Sequence, residues 1–338
     1  MNRQVRMVFF PSALTACILM AVDAKFTVAA EPATLELLQT IPLKGAAGRL
    51  DHMAIDTKHA RLFVANLSNN SLDIVDLKAG KLLKQIPDQK KIQGIAYAPD
   101  LDRIFVGNGA GGECNVFDSK DYTLLKSIKL PGADNVRYLA PRRLVYVGHA
   151  EKTLSVIDAQ TLEVKAEIKL SGQPEGFQLE IKRPRLYLNT VDPTRLVVVD
   201  TEKNEVLHRH PLTLADRAYP MAVDEANRRL FLGCRNKPSV VVVDSETGKE
   251  VASLTIPEDI DDLFYDAKNK RLYASCGSGA LAVVRQRDAD DYETLETIPT
   301  VKMARTCFFD PAGERLYLIV PHQEGQEGPT IRVYRPRP

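Results

Sequence analysis

Arg61-Leu62-Phe63-Val64, Arg103-Ile104-Phe105-Val106, Leu144-Val145-Tyr146-Val147, Arg185-Leu186-Tyr187-Leu188, Arg229-Leu230-Phe231-Leu232, Arg271-Leu272-Tyr273-Ala274 and Arg315-Leu316-Tyr317-Leu318 are seven copies of one short apolar run. With Leu62, Ile104, Val145, Leu186, Leu230, Leu272 and Leu316 as equivalent points, the steps are 42, 41, 41, 44, 42 and 44 residues. A strand-built unit repeating every 40–45 residues cannot bury its apolar faces alone, and stacks on its neighbours around an axis. The chain therefore reads as all-β, a seven-bladed β-propeller.

The second repeat shows the unit. Ile92 to Tyr97 is the first strand, Ala98-Pro99-Asp100-Leu101-Asp102 a turn, and Arg103 to Gly107 the second strand. Cys114 to Asp118 is the third strand and Thr123 to Ile128 the fourth. The third strand closes on aspartate at Asp76, Asp118, Asp158, Asp200 and Asp244, where a carboxylate can accept the N–H groups of the next turn. Blade six carries Arg285 there and blade seven Arg335. The seventh repeat stops after its third strand, Ile331-Arg332-Val333-Tyr334, while Leu35 to Pro42 looks like a surplus fourth strand. The N-terminal strand, about residues 34–42, is expected to pair with the C-terminal strands and close blade seven, removing an open sheet edge.

Bulk properties narrow the class. The 338 residues are 44% hydrophobic, enough for one distributed core over residues 31–338, and carry no tryptophan, which disfavours a WD-type propeller. Residues 1–30 read as a signal peptide and short linker: Asn2, Arg3 and Arg6, then an apolar stretch from Met7 to Val22, then the small-residue patterns Val22-Asp23-Ala24 and Val28-Ala29-Ala30. At about 16 residues that stretch is short for a membrane span of roughly 20. A periplasmic or secreted protein is expected, with a lipoprotein anchored through Cys17 of Leu14-Thr15-Ala16-Cys17 as the alternative. Cleavage after Ala24 would take the formal charge from +1 to 0, which gives no bulk attraction to nucleic acid or anionic membrane. Cys114, Cys234, Cys276 and Cys307 form no CxxC and read as buried thiols; a disulfide cannot be assigned from spacing.

A feature in every blade is architecture, whereas a feature in one blade needs another reason. The near-repeated arginine before each second strand reads as a turn and edge residue paired with acidic turn residues such as Asp100, Asp224 and Asp310. Antiparallel reversal brings first-strand starts and second-strand ends to one face, so their polar residues are expected to form the mouth of the central channel. The first-strand entries are Arg49, Asp51, His52, Gln93, Asn135, Glu175, Tyr219, Asp261, Asp262 and Arg305. The second-strand exits are Asn66, Asn108, His149, Asn189, Arg235 and His322. From these, Arg49, Asp51, His52, Asn108, His149, Asn189, Tyr219, Asp262, Arg305 and His322 are the candidate ligand-binding residues.

Gly48-Arg49-Leu50-Asp51-His52-Met53 is unlike any other first-strand entry. Arg49 could bind a carboxylate or phosphate, and Asp51 could orient His52 as a base or metal ligand. Asp51 and His52 are the catalytic candidates; an Asp–His bond that merely locks the strand is the structural alternative. No metal is expected, and His52, His149 and His322 are the alternative site if one binds. Gly107-Asn108-Gly109-Ala110-Gly111-Gly112 lacks the Lys-Ser/Thr ending of a phosphate loop and reads as a hairpin. The long connection Pro321 to Pro329 either covers the mouth or is a mobile loop. There is no Gly-x-Ser-x-Gly elbow and no CxxCH haem attachment.

Leu62-Phe63-Val64-Ala65-Asn66 with Leu72 to Asp76, Ile104 to Asn108 with Val116-Phe117-Asp118, and Val240 to Asp244 with Thr247-Gly248-Lys249 resemble the YVTN-type, or YncE-like, seven-bladed propeller family over about residues 34–338. The resemblance implies an exported bacterial protein. The wider group also looks like amine-dehydrogenase subunits, haem-binding propellers of nitrite reductases and streptogramin lyases, but none of their activities transfers residue by residue. The expectation is a ligand- or partner-binding propeller without a cofactor, monomeric, taking a small anionic or polar ligand or a protein partner, and not nucleic acid. A lyase or lactonase using Asp51-His52, with or without a metal, and an interaction subunit for a redox partner are the alternatives.

Overall fold

The structure, a computed structural model, describes Met1 and residues 33–338. The expected signal segment and Cys17 lie outside the described residues. Over residues 33–338 there are seven sheets, each of four antiparallel strands. Blade two is Ile92–Ala98, Arg103–Asn108, Glu113–Asp118 and Leu124–Lys129, within a residue or so of the reading from turns and apolar runs.

The innermost strands are Met53–Asp56, Ile92–Ala98, Val136–Leu139, Gln173–Glu180, Ala218–Asp224, Ile260–Asp266 and Cys307–Asp310. Each touches the next, and the last touches the first, so the ring closes around a central channel. The core lies between blades rather than within them. Phe105 and Val116 of blade two pack with Val136, Val145 and Ile157 of blade three. Ile41, Ile319 and Ile331 of blade seven pack with Leu62 and Val64 of blade one. Apolar sheets stacked face to face bury both faces of the second and third strands, which is why those strands read as continuous apolar runs.

Blade seven has the order Leu35–Pro42, Thr330–Pro336, Arg315–Val320, Cys307–Asp310. Leu35 lies opposite Pro336 and Ile41 opposite Ile331, so the N-terminal strand supplies the missing edge as the repeat count required.

The closing aspartates do what their chemistry suggests. Asp76, Asp158, Asp200 and Asp244 each accept backbone N–H bonds two and three residues on, and Asp118 accepts one from Lys120. Two of the repeated arginines pair with acidic turn residues of their own blade as expected, Arg61 with Asp56 and Arg229 with Asp244, but the three acids named from the sequence have other partners. Asp100 takes Tyr138 and Arg143, Asp224 takes Asn227 and Gln286, and Asp310 caps its own turn. Four of the arginines also reach the outer turn of the following blade: Arg61 to the Ser119 carbonyl, Arg103 to the carbonyls of Ala159 and Gln160, Arg185 to Glu246 and Arg229 to Asp290. A fork of five donors on a long stem spans the blade gap, and a shared carbonyl or carboxylate on the far side is in reach.

Arg61 also pairs with the buried Asp56 at 2.6 Å. Its bonds hold the Asp56 carboxyl below the usual range, against the opposing effect of burial. The Arg61→Ala protein is expected to lose about 1.5–3 kcal/mol in a urea melt at neutral pH. Because the folded Asp56 titrates below its ordinary value of 3.8, that contribution is present above pH 3.8 and disappears as pH falls through the folded value. Equal urea midpoints for variant and parent at neutral pH would remove the staple role.

Candidate functional site

The innermost strands do not run smoothly to the face that carries Arg49 and His52. Register slips between Ile92 and Ile95, Pro174 and Phe177, Ala218 and Met221, and Ile260 and Asp262. The residues in those intervals include Gln93, Glu175, Tyr219 and Asp261, and all four line one cavity. An irregular extra residue breaks the in–out alternation and re-aims a side chain, here toward the axis. In blades one and three the inner strand starts late, and Arg49, Asp51, His52, Asp134 and Asn135 come from the segments ahead of it.

Two glycines permit the close approach of neighbouring inner strands. A Cβ on Gly94 would sit 1.9 Å from the Asp134 carbonyl oxygen, and one on Gly176 2.3 Å from the Tyr219 carbonyl oxygen.

The cavity is about 210 Å³, room for several waters or a small molecule. It gathers three arginines, Arg49, Arg137 and Arg235, against five carboxylates, Asp51, Asp134, Glu175, Asp261 and Asp262. Arg49 Nη2 donates to Asp51 at 2.8 Å and lies 3.5 Å from Asp261. Arg235 pairs with Asp261, donates to the Ile260 carbonyl at 2.8 Å and stacks 4.0 Å above the Tyr219 ring. Arg305 stands outside the cavity, clamped on Asp259 at 2.7 and 2.8 Å and 3.1 Å from Asp261. Carboxylates therefore outnumber cations where solvent is sparse. Burial pushes Asp134 up to about 8, with the charges of Asp51 and Glu175 adding to it. Burial also pushes Glu175 up to about 7, against the pull of Arg235. The buried Asp262 is held well above the carboxylate range, first by desolvation and then by Asp261 and Asp51. Like charges in a dehydrated space cannot all ionise, so protons remain bound near neutral pH.

His52 is lowered by burial, which outweighs the attraction of Asp51, and is a neutral imidazole at neutral pH. Its Nε2 is 3.9 Å from Asp51 and its Nδ1 3.6 Å from Asp262, beyond hydrogen-bond length in both cases. Asp51 is held by Arg49 instead, so the expected Asp51–His52 bond is not formed.

Of the candidate ligand-binding residues, Arg49, Asp51, His52, Tyr219 and Asp262 line this cavity; Asn108, His149, Asn189, Arg305 and His322 do not. The expected convergence of second-strand exits fails except for Arg235. The second strand lies one strand farther from the axis, so its terminal side chain turns into the blade. Asn66 bonds Asp73, Asn108 bonds Gln89 and His149 bonds Ser155, while Asn189 is fully buried. His322 contacts the Gln326 carbonyl within its own loop, and no residue of that loop lines the mouth cavity. His52, His149 and His322 therefore do not meet, and among the described residues no group of three or more His, Cys, Asp or Glu is arranged to hold a metal ion. Cys114, Cys234, Cys276 and Cys307 are free and buried, with burial raising Cys114 and Cys276 to about 12 and Cys234 to about 11.

Asp134, Arg137, Gln178 and Phe264 also line the cavity and went unread in the sequence. Arg137 had a signal: it lies two residues beyond Asn135, and alternate residues of a strand share a face.

No family model matches the chain. It is 24% identical over 273 residues to "Uncharacterized protein YncE" of Salmonella typhimurium, covering 76% of this chain and 75% of that one. It is 25% identical over 269 residues to the protein of the same name from Escherichia coli K12, covering 73% and 74%. Among solved structures it superposes on Kuenenia stuttgartiensis hydrazine synthase with a TM-score of 0.70 at 16% identity, covering 82% of this chain and 94% of that one. The RRP9 WD40 repeats give a TM-score of 0.74 at 11% identity, covering 89% and 98%. These structural likenesses carry the fold alone. With seven four-stranded blades and a closing N-terminal strand, the chain is a seven-bladed β-propeller, and it is similar to the YncE proteins over about three quarters of their length.

Proposed function

We propose that this propeller is an exported binding module whose ligand, a small polar molecule bearing a cationic group, sits in the mouth cavity. One observation carries the reading: five carboxylates converge there against three arginines, and three of the carboxyls hold their protons beyond the ordinary range. A ligand ammonium would replace those protons. Arg49 is already paired with Asp51, Arg235 with Asp261 and Arg305 with Asp259, which leaves Arg137 alone among the three cavity arginines without a carboxylate partner, so the charge balance favours a cation over the anion considered from Arg49 and Arg305 alone. Export rests on the basic and apolar N-terminal sequence, Asn2 to Val22.

Linkage gives the test. Glu175 and Asp134 titrate near 7 and 8, and cation binding favours their ionised forms. Affinity for ethylammonium is expected to rise with pH from 6 to 8, by up to tenfold per unit for each proton displaced. Calorimetry in buffers of different ionisation enthalpy should show proton release on binding. A pH-independent affinity, or no binding, would sink the reading. Glu175→Gln should weaken that binding yet raise the melting temperature at pH 8. The folded Glu175 holds a proton that its unfolded form loses from about 4.5 upward, so its ionisation opposes folding as pH rises toward 7.

A further inference from the structure

A second chamber of about 330 Å³ adjoins the mouth cavity. His52, Arg137, Gln178 and Phe264 line both, so one layer of side chains forms a collar between them. Above the collar the lining is mainly charged. Below it the chamber's own walls are aliphatic and aromatic, from Met53, Ile55, Ile95, Tyr97, Tyr138 and Phe308.

The collar is anchored by the scaffold. Gln178 donates to the Met221 carbonyl at 2.6 Å, and Arg137 lies 5.7 Å from the Phe177 ring centre and donates to the Val136 carbonyl at 2.9 Å. Phe264 meets Phe308 edge to face, with ring centres 5.5 Å apart. Such an arrangement leaves ring edges and faces available to a further aromatic group.

We propose that the two chambers hold one amphiphilic cation, its ammonium in the acidic mouth and its aromatic arm below the collar. The inference rests on the cationic-ligand reading of the mouth and adds the chemistry of the rest of the molecule. Acidic and apolar linings meet at shared residues on the same inner strands, so one ligand of modest length contacts both. Along blade one, His52 to Ile55 spans about 7–10 Å at strand spacing, which sets the distance from nitrogen to ring. A phenylalkylammonium with a linker of a few carbons has that length.

The experiment compares ethylammonium, 4-phenylbutylammonium and 4-phenylbutanol by calorimetry at pH 8. The phenyl arm is expected to tighten ammonium binding by about 10- to 100-fold, the gain for burying one ring. Ala54→Leu, which narrows the lower chamber, should remove that gain while leaving ethylammonium affinity unchanged. Phe308→Leu should reduce the gain, and an unaltered ethylammonium affinity reports that each variant is folded. Equal affinity for the two ammonium ions would overturn the inference and leave the mouth reading intact. Failure of both ammonium ions to bind would overturn the two together. If 4-phenylbutanol bound as tightly as 4-phenylbutylammonium, the lower chamber would act alone and the single-ligand proposal would fall.

Discussion

Deleting residues 33–43 is expected to cost the ring roughly 5–9 kcal/mol, the transfer free energy of burying three large aliphatic side chains. Those side chains are Leu35, Ile41 and Leu43, exposed by only 5%, 0% and 2%. The sum is comparable to the whole stability of an ordinary domain, and it comes with the exposure of Thr330–Pro336 as a bare sheet edge. The deletion also breaks the bonds from Leu43 N–H to the Pro329 carbonyl at 2.8 Å and from Arg337 N–H to the Thr34 carbonyl at 2.9 Å. Blade seven is the junction between the two ends of the described chain, so its loss unfastens the ring rather than trimming a terminus. Thermal unfolding followed by circular dichroism should show a fall of about 10 °C or more, or no cooperative transition. A synthetic peptide of residues 33–43 should restore part of the loss. A truncated protein melting within a few degrees of the intact one would refute the velcro closure.

Gly94→Ala is expected to damage both stability and the mouth. The added Cβ would lie 1.9 Å from the Asp134 carbonyl oxygen, 2.8 Å from the Val136 nitrogen and 2.9 Å from the Asp134 carbonyl carbon. All three atoms belong to the backbone of the next blade, so no flexible side chain can give way. Overpacking of this kind costs about 1–3 kcal/mol or more, and relief requires moving the segment that presents Asp134 to the cavity. Ethylammonium binding should weaken with stability. Gly148→Ala is the matched control: its Cβ would meet Pro174 at 3.4 Å, ordinary contact, and that protein should melt at or slightly above the parent temperature. Indistinguishable melts for the two variants would show that the inner strands are looser than their packing implies.

The mouth cavity also accounts for the uneven success of reading residues along the chain. First-strand entries were legible because the innermost strand has nothing between it and the axis. Arg49, Asp51, His52, Gln93, Asn135, Glu175, Tyr219, Asp261 and Asp262 all line the cavity. Second-strand exits share the same face but not the same radius, and sequence order carries no radius. Asn108 and His149 are accordingly spent on Gln89 and Ser155 inside their blades. Arg305 meets the expected position in its repeat yet is turned onto Asp259 by a neighbour from the preceding blade. The repeated arginines were recognisable as architecture, but their targets lie one blade onward, about sixty residues away, as between Arg61 and Ser119 or Arg229 and Asp290.

The amino-acid sequence alone determined the number of blades, the order of strands and the closure by Leu35–Pro42, because apolar periodicity and turn chemistry are local and were written seven times. Only the tertiary structure decided which polar groups share a cavity, how their charges balance and where Asp134 and Glu175 hold protons. Those properties depend on distances between blades and on excluded water, and both arise when the ring closes, not along the chain.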